Sequence, residues 1–148
     1  MLGRLAKWLR VLGYDTVFSP SLDDPELACI ARAEQRVLLT RDTALARRKG
    51  LRAVLIRSDQ PREQLLQVVT ELDKPLAGAT LSRCLRCNSA LLDVSREVVA
   101  GLVPPYVLAT QTAFRRCPRC GRVYWRGTHW QRMQERIREL GEQLNRPY

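Results

Sequence analysis

Two C-x-x-C pairs restrict what this chain can fold into more than any other feature: Cys84-Leu85-Arg86-Cys87 and Cys117-Pro118-Arg119-Cys120-Gly121. Each pair fits a knuckle that turns two thiolates toward one tetrahedral ion. Two knuckles together close a four-sulfur zinc site. Such a site has no open coordination position, so its expected role is in folding and not in catalysis. Gly121 permits the tight turn after the second pair, and Asn88 tolerates the same left-handed geometry after the first. The 29 residues between the pairs exceed the commonest zinc spacings. They suit a ribbon with long strands, which residues 98–103 and 106–108 are expected to supply. Disulfides fit less well because a reducing cytosol disfavours them. A thioredoxin-type pair would be single and would follow a βαβ strand. Cys29 stands apart from the other four and is read as a small core residue on a helix.

Upstream of the cysteines the pattern alternates. Leu2, Leu5, Ala6, Leu9 and Leu12 fall at helical spacing with Arg4, Lys7 and Arg10 between them, and Gly13 stops the run. Residues 14–18 read as a strand. Asp24 is placed as the N-cap of a helix that opens at Pro25 and runs to about residue 35. Val37-Leu38-Leu39 reads as a buried strand ending in Thr40-Arg41-Asp42. A short helix to Gly50, a strand at 52–56 and a helix at 61–72 complete the series. This alternation predicts βαβ units and a mainly parallel sheet. Residues 73–80 read as a linker. The expected division is therefore an α/β domain at 1–76 and a zinc ribbon with a C-terminal helix at 77–148.

Charge adds a partner class. The formal net charge is +10 and the pI about 10.1. Residues 1–78 hold 13 Lys/Arg against 10 Asp/Glu, whereas residues 79–148 hold 12 Arg, no Lys and 5 Asp/Glu. An arginine-only basic half suits planar, bidentate contact with phosphates, so nucleic acid is the natural polyanion. Arg119, Arg122, Tyr124, Trp125, Arg126 and His129 interleave aromatics with cations, as strand-binding surfaces do. Tyr124 and Trp125 equally suit a cover over the small zinc core, and His129 a place near the start of a helix. Hydrophobic residues make up 45%, enough for a packed core, and no apolar run approaches bilayer length. With no continuous apolar region in a leader, the expected location is the cytoplasm.

Asp23, Asp24, Asp42 and Asp59 fall just beyond strands or at helix starts, on one end of the expected sheet. Ligands bind at the carboxyl ends of the strands in open α/β sheets. Mg or Mn takes oxygen ligands there and can generate a hydroxide nucleophile. Capping explains each aspartate taken singly; the set, joined to a basic surface, points to a nuclease, with Arg41 placed to steady phosphate.

The pattern Asp24-x-x-x-Ala28-x-x-Ala31, with Leu38-Leu39-Thr40-Arg41-Asp42 ending eighteen residues after Asp24, is similar to the third and fourth acidic positions of PIN nucleases. The ordered set LGRLAKWLRVLGYDT, RVLLTRD, RCLRCN, CPRCGRVYW and GTHW resembles the Mut-seven C-terminal RNase family, a three-layer PIN-like domain followed by a zinc ribbon. The resemblance covers nearly the whole chain. It implies metal-dependent RNA cleavage with Asp24 and Asp42 as metal-binding carboxylates, with Asp23 or Asp59 expected to assist. The family pattern usually opens with a strand ending in Asp before the Met-Leu-Gly-Arg-Leu stretch. This sequence begins at Met1, so that first strand is expected to be missing from it. The competing expectation is a non-catalytic RNA-binding or ribosome-associated ribbon protein; a toxin-like role is weaker.

Overall fold

The computed structural model describes residues 2–76 and 81–144, so part of the expected linker at 73–80 lies outside the described residues. The chain forms two compact units that are not contiguous in sequence: residues 1–6 with 17–74, and residues 7–16 with 75 onward. Helix α1 (Gly3–Val11) supplies residues to both, and Gly13 ends it with φ 90°. Among the described residues no helix is long and apolar enough to cross a membrane.

The first unit is a small parallel α/β arrangement. Strands β1 (Leu38–Thr40) and β2 (Ala53–Leu55) pair in parallel with Leu38 opposite Ala53 and Thr40 opposite Leu55. Leu38 and Thr40 are buried while Leu39 is half-buried, the signature of a strand covered on both faces. Helix α2 (Asp24–Ala33) precedes β1, α3 (Thr43–Ala46) joins the two strands, and α4 (Pro61–Glu71) follows β2. Ala28 and Ala31 of α2, Leu38 of β1 and Leu45 of α3 form one core cluster, edged by Leu27, Leu51 and Ala53. Gln67 Nε2 donates to the Leu55 carbonyl at 2.7 Å, and the Arg57 amide donates to Gln67 Oε1 at 3.1 Å. One side chain of α4 thus continues the pairing that β2 lacks on that edge.

Three sequence expectations change here. The N-cap of α2 is Asp23 and not Asp24: Asp23 Oδ1 accepts from the Glu26 amide, and Glu26 Oε2 accepts from the Asp23 amide, both at 2.9 Å. This reciprocal box satisfies two amides that a helix start leaves open, and moves the boundary one residue upstream. Asp23→Ala is expected to lower stability by about 1 kcal/mol, read as a reduced denaturation midpoint with unchanged m-value. Cys29 is exposed on α2 and not in the core. Residues 14–18 are not a strand, because side chains take up their backbone groups. The Thr16 amide donates to Asn88 Oδ1, and Arg10 Nε donates to the Thr16 carbonyl, each at 2.9 Å.

In the second unit, strands β3 (Leu92–Val94), β4 (Phe114–Arg116) and β5 (Val123–Tyr124) form an antiparallel sheet in the order β3-β4-β5. The expected strands at 98–103 and 106–108 are instead helices α5 (Arg96–Val99) and α6 (Pro105–Thr110) with a turn between them. Valines in this stretch suggest strand, but Pro105 cannot donate to a ladder and is preset for the first turn of a helix. Val99, Val103, Val107 and Phe114 make the core cluster, with Val94, Leu108, Val123 and Trp125 packed on it. Helix α7 (Thr128–Leu144) buries Met133, Ile137 and Leu140, while Leu144 in its last turn is exposed.

Candidate metal centre and carboxylate edge

The two knuckles are built alike. The Cys87 amide donates to Cys84 Sγ at 3.3 Å, and the Cys120 amide to Cys117 Sγ at 3.4 Å. The Asn88 amide closes the first turn on the Cys84 carbonyl, and the Gly121 amide the second on the Cys117 carbonyl, each at 2.9 Å. Asn88 (φ 66°) and Gly121 (φ 79°) both take the left-handed conformation that their positions require. The four Sγ atoms lie within 4.8 Å of one another, with 3.6 Å between Cys84 and Cys120. Zinc–thiolate bonds arranged tetrahedrally separate sulfurs by roughly 3.8 Å. The set therefore fits a metal ion such as zinc.

Charge in the site makes the same demand. Burial pushes the Cys84 thiol up, but hydrogen bonds from the Tyr124 hydroxyl and the Cys87 and Arg86 amides outweigh it and bring it down to about 7. Desolvation, the Cys120 thiol and the charge on Cys84 hold Cys87 well above its ordinary value. Four thiols this close cannot all ionise unless a cation joins them. The Tyr124 hydroxyl accepts from the Leu85 amide at 3.1 Å and lies 3.2 Å from Cys84 Sγ, so it braces the first knuckle.

A second brace was not legible as such in the sequence. Arg10, placed by spacing on the polar side of α1, is only 6% exposed. Its Nη1 donates to the Leu85 carbonyl at 2.9 Å and to the Arg86 carbonyl at 3.2 Å, and its Nε holds Thr16. Desolvation lowers its pKa, and the charges of Cys84 and Cys87 oppose that shift. Asn88 ties the same knuckle to the residues after α1, with Nδ2 donating to Asp15 Oδ1 at 2.6 Å.

Around this centre, Arg119 and Arg122 are exposed near the second knuckle. Arg126 is exposed, with its guanidinium 5.2 Å from the centre of the Trp130 ring. Trp125 is half-buried on the valine core and His129 is exposed at the start of α7.

In the first unit, the Asp42 amide donates to Thr40 Oγ1 at 3.0 Å, and Asp42 Oδ1 caps α3 through the Leu45 amide at 2.9 Å. The Ile56 amide donates to the Thr40 carbonyl at 2.7 Å, which extends the pairing to the end of β1. Because β1 and β2 are parallel, Asp42 and Asp59 follow the same ends of the two strands. Asp23, Asp24, Asp42 and Asp59 are all exposed, and Arg41 is half-buried. Among the described residues, the four cysteines are the one set of three or more His, Cys, Asp or Glu side chains gathered tightly enough to hold a metal. Two of the four aspartates are engaged as helix caps, each through one oxygen.

A parallel α/β unit with carboxylates past its strand ends, in one chain with an antiparallel sheet and four convergent thiols, defines a two-part α/β protein with a cysteine cluster that could hold a metal ion, compatible with a zinc ribbon. Residues 1–137 match the family model of the Mut7-C RNAse domain, and the chain belongs to that family. Membership points to a nuclease or RNA-related role with RNA as the substrate class. Neither the search of curated proteins nor the search of solved structures gives a match.

Proposed function

We propose that the chain is a metal-dependent ribonuclease whose first unit is a PIN-like half and whose cysteine centre holds one structural zinc. The observation that carries the reading is the lock on Asp42. Thr40 fixes its backbone at the end of β1, and α3 fixes one carboxylate oxygen, so the other is presented from a rigid edge. Asp59 follows β2 at that same edge. Four residues separate α2 from β1, a reversal short enough to turn the N-terminus of α2, with Asp24, toward the strand's carboxyl end. Mg or Mn is commonly held by one or two carboxylates and keeps several waters, so Asp24 and Asp42 suffice as a minimal ligand pair, with Asp23 or Asp59 assisting. When bound, the ion supplies a hydroxide equivalent and neutralises charge on the phosphodiester. Arg41 steadies the phosphate, and the amides at the start of α2 favour its negative charge. Arg119, Arg122, Arg126 and the aromatics beside them hold the RNA strand.

The alternative, an RNA-binding protein without catalysis, is favoured by the engagement of Asp23 and Asp42 in capping. Asp42→Asn separates the two, since Asn caps as well as Asp and leaves stability nearly unchanged. Manganese-dependent cleavage of single-stranded RNA is expected to fall by at least about 100-fold in this variant, the several kcal/mol that an ion ligand contributes. Equal cleavage by the variant and the wild type would remove the mechanism.

A further inference from the structure

A cleft of about 580 Å³ opens in the second unit, within the range of about 300–1,000 Å³ typical of small-molecule sites. Tyr106, Thr110, Trp125, His129, Arg83 and Arg132 are among its walls. No Asp or Glu occurs among the described lining residues. Two aromatics there are held differently. Trp125 is anchored on the Val99–Val107–Phe114 cluster, and Gly127 lies so close that a Cβ there would sit 2.8 Å from its Nε1. Tyr106, by contrast, is 71% exposed, a large ring left uncovered on α6. Arg83 is held by the Gly13 and Asn88 carbonyls and acts as a fixed charge, whereas Arg132 is exposed on α7.

Flat apolar walls with a cationic rim and no carboxylate call for a ligand that is planar and anionic at once. A bare phosphate leaves the rings unused, and an apolar peptide leaves the arginines unmatched. We propose that this cleft receives one unpaired nucleotide of a single-stranded RNA, with the base against Tyr106 and Trp125 and the phosphate beside Arg132 and His129. Aromatic stacking accepts any base, so the site contributes affinity without sequence preference. The proposal rests on the reading that RNA is the partner, and it adds α6 and α7 to the RNA-binding surface.

The test measures binding of a fluorescent single-stranded RNA by anisotropy, using the full zinc-loaded chain without added divalent metal. A matched strand with abasic positions provides the second ligand. Wild type is expected to prefer intact RNA by roughly tenfold. Tyr106→Ala loses that preference and binds intact RNA roughly tenfold more weakly, while Tyr106→Phe retains both. Thr110→Trp, which fills the cleft while leaving Tyr106 in place, weakens intact RNA equally. Near-UV circular dichroism and zinc content verify the fold of each variant. Unchanged affinity in both Tyr106→Ala and Thr110→Trp overturns the cleft as a nucleotide site while leaving RNA as the partner. Failure of the wild type to bind RNA at low salt removes the partner itself, and the cleft assignment with it.

Discussion

Cys117→Ser is expected to abolish zinc retention and to unfold residues 81–127. Cys117 is almost fully buried, and its sulfur is one of four gathered closely enough to hold a single ion. Structural zinc contributes about 10–16 kcal/mol of apparent binding energy, as much as the entire stability of a domain, about 5–15 kcal/mol. The valine cluster beside the site is too small to replace it. A chelator should release one zinc per wild-type chain and produce the same unfolded segment. Amide exchange by residue is the deciding measurement: protection lost over 81–127 in the variant, and protection that persists around Ala28, Leu38 and Leu45, which form a separate cluster. A metal-free chain with residues 81–127 still protected would refute the zinc role. Thiolates must form for the ion to bind, so the apparent zinc affinity falls as pH falls.

Arg10→Met should also be clearly destabilising, although Arg10 touches no sulfur. The substitution keeps most of the apolar stem but strands the carbonyls of Thr16, Leu85 and Arg86, all of which accept from the guanidinium. Leaving a buried acceptor unpaired costs about 1–3 kcal/mol, so the three carbonyls together correspond to a fall in Tm of about 10 °C for a chain of this size. Lys7→Met, one turn earlier and exposed, should stay within about 0.5 kcal/mol of wild type. Differential scanning calorimetry of the three zinc-loaded proteins makes the comparison. An Arg10→Met midpoint equal to that of Lys7→Met would show that the guanidinium does not support the knuckle.

These two positions also show what a sequence can disclose. The cysteines were legible because ligand spacing is a local property, and Asn88 and Gly121 are local too: each occupies the single turn position that needs positive φ. The short strands β1 and β2 were legible because burial on both faces leaves an apolar run. Arg10 was not, since a cation at a polar helical position looks the same whether it faces water or three carbonyls contributed in part by residues 75 positions away. The stretch 96–110 misleads because its valines fit a strand by propensity, and only Pro105 at a first helical turn argues otherwise. At Asp23 and Asp24 the ambiguity is a single residue, resolved by the reach of Glu26 back to the Asp23 amide. The tyrosine at 124 belongs to a third kind. Its ring suits stacking, and only the positions of Leu85 and Cys84 reveal that its hydroxyl is committed to the first cysteine knuckle.

The order in which the chain is synthesised gives Arg10 a further significance. Its carbonyl partners at 85 and 86 leave the ribosome 75 residues later, a delay of several seconds at about 5–20 residues per second. Over that interval the guanidinium must stay hydrated and the segment 7–16 undocked, although the residues on either side of it belong to the other unit. A cut made at the linker would therefore yield two incomplete pieces: the first carries an arginine whose acceptors at 85 and 86 are gone, and the second a knuckle whose clasp was left behind.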